Sequence, residues 1–172
     1  MDTITITIAV LSLAVSMLVA GWTIYRDAIQ KPKFEVSVAI KSIYQGEHVD
    51  GPYVFVEALN MGPLSNRIAV VWMRKSWWDR KIKRDHTIAH INPDYGHYAT
   101  TDSGARIEVG DRATFVFPYN KEVYLREDGE DTFLNEADGY AEIGVTDGYG
   151  RFHWAPKKQF IYLKEKIKTD FL

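Results

Sequence analysis

The hydrophobic and polar positions divide the chain into an uncharged apolar segment and a longer region of short alternating runs. Residues 3–25 (TITITIAVLSLAVSMLVAGWTIY) contain no charged side chain. A helix of this length reaches roughly 30–35 Å, which is enough to cross the hydrocarbon core of a bilayer with some tilt. Its β-branched start is a poor helix former in water, but in lipid every backbone amide must bond within the segment. The pattern therefore predicts one transmembrane helix.

Residues at one end of this segment predict anchoring at the membrane interface, and residues on one face predict packing against another helix. Aromatic rings and a following cation favour the headgroup level, which predicts interface anchors at Trp22, Tyr25 and Arg26. Small side chains let a second helix approach closely, and they form one face at Ala9, Ser12, Ser16 and Ala20. Small residues are also common in any membrane span, so both explanations of this face stay open.

A cleaved signal peptide is the main alternative for the segment. Ala20-Gly21 resembles a cleavage site, but Asp2 is the only charge before the segment, where a signal peptide carries basic residues. A buried core helix is shorter than this segment, and a helix lying on the bilayer needs a charged face. After the segment, Arg26, Lys31 and Lys33 outnumber one acid, so the positive-inside rule predicts an outside N-terminus and a cytoplasmic domain.

Short runs of period two begin after a linker at residues 26–32, where Pro32 ends any helix. Apolar and polar residues alternate over 34–41, as in a strand with one buried face. Further strand-like runs follow at 53–59, 68–73, 107–109, 113–117, 140–145 and 152–154. Asp147-Gly148-Tyr149-Gly150 is a strong hairpin signal. The spacing predicts one antiparallel β-sandwich over residues 33–156.

Three stretches depart from the strand pattern. Residues 76–104 form a long, partly irregular insertion, in which Thr87-Ile88-Ala89 is typical of a strand. A short helix is predicted around residues 131–137, and the tail at 157–172 is a second candidate helix.

Several short motifs give the chain a resemblance to a known class. Trp22-Thr23-Ile24-Tyr25-Arg26-Asp27 leads from the apolar segment into a strand, and turn motifs follow at Asn60-Met61-Gly62-Pro63, at Gly110-Asp111 and over residues 145–151 (VTDGYGR). In these features the chain resembles uncharacterised bacterial single-pass membrane proteins with an immunoglobulin-like β-sandwich domain. The resemblance implies that fold and a place in the bacterial inner membrane. It implies no catalytic residues, and the 76–104 insertion departs from the usual short connection.

Composition narrows the function further. The 172 residues include no cysteine, which removes disulfides, thiol nucleophiles and cysteine-based zinc sites. A formal net charge of −2 gives no global attraction to nucleic acid, which is disfavoured as a partner. No nucleophile elbow, phosphate-binding glycine loop or H-E-x-x-H motif is present in the sequence. We therefore expect a protein that is not an enzyme and carries no cofactor.

Local charge is more informative than net charge. Residues 74–84 (RKSWWDRKIKR) combine six basic side chains and one acid with two adjacent tryptophans. This basic-aromatic segment suits anionic lipid headgroups if it lies near the anchor, and it suits an acidic protein partner equally well. A solvated loop whose tryptophans pack inward is the alternative. The interface residues predicted here are Arg74, Lys75, Trp77, Trp78, Arg80, Lys81, Lys83 and Arg84.

A weaker candidate site contains four residues that could bind a metal ion: His86, His90, Asp94 and His97. The i,i+4 spacing of His86 and His90 suits a metal on a helix, but Asn92-Pro93 breaks a helix and roughly 13 Å separates such residues on a strand. A polar surface loop explains them more simply.

The sequence thus predicts a non-catalytic accessory or scaffolding subunit of a multi-subunit bacterial membrane complex. A respiratory or photosynthetic complex is one candidate host. A membrane-tethered ligand-binding or sensor module and a metal-binding protein are the alternatives.

Overall fold

A computed structural model describes residues 3–25, 33–121 and 133–171 of the chain. The predicted interface anchor Arg26 and the linker at 26–32 lie outside these residues. Within the described ranges, the domain after the apolar segment is mainly β, as the period-two runs predict.

The apolar segment forms helix α1, Thr3–Ile24, whose 22 residues are long and apolar enough to cross a membrane. Its side chains contact nothing that buries them. The hydroxyls of Thr7, Ser16 and Thr23 donate to carbonyls four residues earlier at 2.8–2.9 Å. These bonds satisfy the hydroxyl donors within the helix, which lowers the cost of placing them in an apolar medium.

The first sheet contains three antiparallel strands in the order β1-β2-β6. Their bounds are β1 Phe34–Gln45, β2 His48–Asn60 and β6 Arg112–Pro118. The predicted runs at 34–41 and 53–59 are confirmed, and both strands continue into a hairpin that closes at Gly46. Gly46 has a φ of 63°, which a glycine adopts without steric cost.

The second sheet has the order β4-β3-β7-β8, and β5 pairs with the start of β3. Its strands are β3 Asn66–Arg74, β4 Ile88–Ile91, β5 Arg106–Ile107, β7 Glu142–Asp147 and β8 Phe152–Trp154. The 76–104 insertion is therefore only partly irregular, because it contributes β4 and a short helix α2, Trp77–Lys81.

Both sheets and two helices contribute side chains to one hydrophobic core. The predicted helices are found as α3 (Phe133–Glu136), which continues into a 3-10 turn, and α4 (Lys157–Phe171). Phe160, Leu163 and Ile167 recur along α4 at helical spacing and are buried. Phe117 of β6 stacks on Phe133 with ring centroids 4.7 Å apart. The tail is thus part of the folded domain.

The predicted hairpin at 147–150 is held by a buried carboxylate. Asp147 accepts hydrogen bonds from the backbone N–H groups of Tyr149 and Arg151, both at 2.9 Å, and its other oxygen lies 3.0 Å from His153 Nε2. The second nitrogen of His153 accepts from the backbone N–H of Phe34 at 3.4 Å. The hairpin is therefore connected to the first residue of β1.

These contacts define two ends of the domain. Phe34, the turn at 60–65, the loop at 106–111 and the hairpin at 148–151 lie together at the end where the chain enters from α1, which we call the entry end. β3 leads away from it for nine residues, or about 27 Å, to Arg74 at the opposite end, which we call the far end.

Candidate functional site

The basic-aromatic segment at 74–84 lies at the far end, where β3 passes into α2. Ser76 caps this helix: its Oγ accepts from the backbone N–H of Asp79 at 3.1 Å and donates to the Asp79 carboxylate at 2.6 Å. The cap fixes where the helix starts and holds the residues after Ser76 in a defined geometry.

The two tryptophans of α2 face solvent. Trp77 and Trp78 are 54% and 59% exposed, and Ile82 beside them is 56% exposed. The alternative in which the pair packs into the core is therefore wrong. Three large apolar side chains on a structured, capped turn form an exposed surface that the domain itself does not cover.

The basic residues of the segment divide into two groups. Arg74, Lys75 and Arg80 contact the domain: Lys75 donates to the Gly139 carbonyl at 2.8 Å, and Arg80 donates to the Lys75 carbonyl at 3.1 Å. Lys81, Lys83 and Arg84 are exposed, although Lys83 pairs with Asp79 at 2.7 Å. This second group is exposed to solvent, as the tryptophans are.

The inward group centres on Glu142, a buried carboxylate at the start of β7. Arg74 Nε and Lys157 Nζ bind its two oxygens, the second at 3.0 Å, and the Arg80 guanidinium lies 4.0 Å away. Arg74 also stacks on the Trp154 ring, 3.9 Å from its centroid. The ion cluster thus joins the end of β3 to β7, β8 and α4, directly beneath α2.

The pKa of Glu142 reflects two opposing effects. Burial raises it, but hydrogen bonds from Lys157 and Arg74 and the charges of these side chains outweigh burial. The net pKa lies below the ordinary value of 4.5, so the carboxylate is charged in the folded protein at neutral pH.

The four candidate metal ligands are not brought together. His86 lies in the exposed loop before β4, His90 packs its ring against Trp72, and Asp94 accepts from the Gly96 backbone. Across the described ranges, no group of three or more His, Cys, Asp or Glu side chains is arranged to hold one metal ion.

His97 belongs instead to a cluster that the sequence does not reveal. Its ring lies between Tyr53 and Tyr98, with centroids 4.7 and 4.6 Å away. Asp50 accepts a 2.7 Å hydrogen bond from the Tyr53 hydroxyl and lies 3.7 Å from His97 Nε2. That hydrogen bond, followed by burial, raises the pKa of Tyr53.

An open cleft of about 430 Å³ adjoins this cluster at the far end. Asp50 and Tyr53 form part of its wall, together with residues of β6 and the chain that follows. A carboxylate beside aromatic rings is suited to a positively charged ligand. No sequence signal links Asp50 to His97, because 47 positions separate them and neither lies in a motif.

The small-residue face and the aromatic anchors predicted for α1 both lie on the helix. Ala9, Ser12, Ser16 and Ala20 are exposed along the helix, and the Ser16 hydroxyl donates to the Ser12 carbonyl at 2.8 Å. Trp22 and Tyr25 lie at its end with ring centroids 6.0 Å apart. Whether this small-residue face binds another helix stays a prediction.

No protein-family model matches the chain, and no curated protein matches it significantly.

Replacing Glu142 by Gln tests the ion cluster. We expect the free energy of unfolding at neutral pH to fall by about 2 kcal/mol, since charge-assisted hydrogen bonds are lost while the cations remain partly exposed and hydrated. Because the folded pKa is lowered, this contribution is complete above the unfolded pKa near 4.5 and is lost as pH falls through the folded pKa. The stability difference between wild type and variant should therefore shrink in acid.

Chemical unfolding at several pH values measures this difference. Glu108→Gln is the matched control, because Glu108 pairs with Arg106 at 2.9 Å on the exposed surface, where an ion pair contributes little. A Glu142→Gln variant as stable as wild type at neutral pH would contradict the role of the cluster.

Proposed function

We propose that this chain is a non-catalytic accessory subunit, anchored by one membrane span, that stabilises a multi-subunit bacterial membrane complex. The observation that carries the proposal is the exposed pair Trp77 and Trp78 on a capped helix, in a segment whose Lys81, Lys83 and Arg84 are also exposed. A respiratory or photosynthetic complex remains one candidate host.

The anchor in this proposal is α1, which spans the bacterial inner membrane. The excess of cations after the segment supports an outside N-terminus and a cytoplasmic domain. The small-residue face at Ala9, Ser12, Ser16 and Ala20 would pack against a span of a partner subunit. Two antiparallel sheets that share one core support an immunoglobulin-like sandwich for the domain.

The tryptophan surface supplies the second contact with the partner. Tryptophan is enriched among the residues that dominate binding energy, because its ring buries a large area at low conformational cost. Lys81 and Arg84 beside the rings favour an acidic partner surface. The far-end position favours a protein over lipid for this surface, since β3 leads about 27 Å away from the entry end.

Two weak contacts are sufficient for stable association with a partner complex when one of them is a membrane anchor. Confinement to the bilayer raises the effective concentration of the domain near its partner, so the tryptophan surface need not bind tightly by itself. Arg80 of α2 lies 4.0 Å from Glu142 in the ion cluster, which connects this helix to the sheet beneath it.

Substituting Trp77→Ala and Trp78→Ala together should release the protein from its complex in mild detergent. Each hot-spot tryptophan contributes about 2 kcal/mol or more to binding. Both side chains are more than half exposed, so the midpoint of thermal unfolding should change little. Native gels and pull-downs of tagged full-length protein measure the association.

Tyr44→Ala is the matched control, because Tyr44 is an aromatic side chain, 74% exposed, in another part of the domain. It should leave assembly unchanged. A wild-type chain that purifies without stoichiometric partners, or a complex that survives loss of both tryptophans, would refute the proposal.

A membrane-tethered ligand-binding module is the second candidate function. The cleft beside Asp50 favours it, because a partly exposed carboxylate lies among the rings of Tyr53, His97 and Tyr98. The ligand class suited to these groups is a small protonated amine.

Thermal unfolding of the full-length protein with a panel of alkylamines and matched carboxylic acids tests this second function. Amines should raise the unfolding midpoint and acids should not, and Asp50→Asn should remove the amine effect. Equal responses to both panels, or an effect that Asp50→Asn leaves intact, would exclude the site.

A further inference from the structure

A second open cleft, of about 340 Å³, lies at the entry end. The start of β3, the neighbouring β5 and the tip of the β7–β8 hairpin form its wall. The lining residues are Ser65, Asn66, Arg67, Arg106, Gly148 and Tyr149. The wall thus contains two arginines and no carboxylate.

The backbone holds these residues together. Arg67 and Arg106 are paired positions of β3 and β5, and the backbone N–H of Gly148 donates to the Arg67 carbonyl at 2.8 Å. Two strands and a hairpin therefore place both arginines in the wall of one cleft. The Nε of Arg106 forms an ion pair with Glu108, and it also donates a hydrogen bond to Ser65 Oγ at 2.9 Å. No other described residue binds the remaining guanidinium N–H groups of Arg106.

Asn66 adds a buried donor without a partner. The side chain is 6% exposed, and its Oδ1 accepts from the backbone N–H of Arg67 at 2.7 Å. This bond fixes the orientation of the amide, and Nδ2 has no acceptor among the described residues. Nδ2 is fully buried, so the contacts that the cleft offers to an anion come from the two arginines.

The cleft lies at the end of the domain that is joined to α1. Lys33 follows Tyr25 by eight residues, and a chain of that length extends at most about 29 Å. The entry end is therefore held within that distance of the end of α1. Met61, Val109 and Tyr149 at this end are 54%, 55% and 63% exposed, so apolar and aromatic side chains surround the cations. That combination suits the headgroup region of a bilayer.

We propose that the cleft at Arg67 and Arg106 binds the phosphate group of an anionic lipid and docks the entry end on the bilayer surface. The inference rests on the proposed membrane anchor but not on the proposed partner. Two surfaces then have separate tasks, because the entry end contacts lipid and the tryptophans of the far end contact protein.

The test uses the full chain, alone, in nanodiscs. Because the chain contains no cysteine, Val109→Cys places one fluorophore at the entry end and Lys81→Cys places one at the far end. A headgroup-attached quencher lipid reports the approach of each label. We expect stronger quenching of the Val109 label in discs with phosphatidylglycerol than in discs of phosphatidylcholine, and no such difference for the Lys81 label.

Removing the two cations should undock the entry end. Each arginine near an anionic surface changes the ratio of docked to undocked protein about fivefold, so Arg67→Gln with Arg106→Gln should abolish the lipid-dependent quenching. Replacement of both by Lys should retain part of it. The matched control, Lys83→Gln with Arg84→Gln, removes two far-end cations and should have no effect.

Added inorganic phosphate tests whether the cleft binds the phosphate of a lipid or free phosphate. Added at millimolar concentration to phosphatidylglycerol discs, it should reduce quenching only partly, because the anchor holds the cleft at a high local concentration of lipid. Quenching that is independent of lipid charge, or lost equally in the control pair, would overturn the proposal. Phosphate binding without any lipid-dependent quenching would do the same. A chain that does not enter nanodiscs would instead refute the anchor.

Discussion

The apolar helix α1 is the constraint on which the rest of the account depends. Its 22 residues expose their side chains along the whole element, and no other part of the described chain covers them. In water this surface would be costly, whereas in a bilayer it is stabilised and the backbone is satisfied by the helix itself. The hydroxyls of Thr7, Ser16 and Thr23 follow the same rule by bonding to their own helix. The proposed membrane location follows from this one mismatch with water.

Attachment of the domain at one end gives its two ends different surroundings. The entry end combines arginines with exposed apolar side chains, and the far end combines tryptophans with lysines and one arginine. Beneath the far-end surface, Glu142 connects three elements through ion pairs with Arg74 of β3, Arg80 of α2 and Lys157 of α4. Arg74, Lys75 and Arg80 therefore maintain the structure, Lys83 pairs with Asp79, and Lys81 and Arg84 are exposed to solvent. The basic residues at 74–84 look like a single patch in the sequence, but in the fold they divide into a structural group and an exposed group.

The sequence predicts local structure better than it predicts these sites. Period-two runs identify most of the strands, the turn signal identifies the Asp147-Gly148 hairpin, and the C-terminal tail, one of two candidate helices, is found as a helix. The division of the basic segment could not be predicted, because Glu142 lies 68 residues from Arg74. The contact of Asp50 with His97 and the pairing of Arg67 with Arg106 could not be predicted for the same reason. Side chains distant in sequence meet only when the register of the strands is known, and short motifs do not encode that register.

Alkaline extraction of membranes that contain the full-length chain tests the central claim most directly. A protein that spans the bilayer stays in the membrane pellet at high pH, whereas a protein held only by surface charge is released. We expect the full chain to remain in the pellet with its N-terminus intact, and a chain beginning at residue 26 to appear in the supernatant. Release of the full chain, or a mature protein that begins after Gly21, would contradict the account.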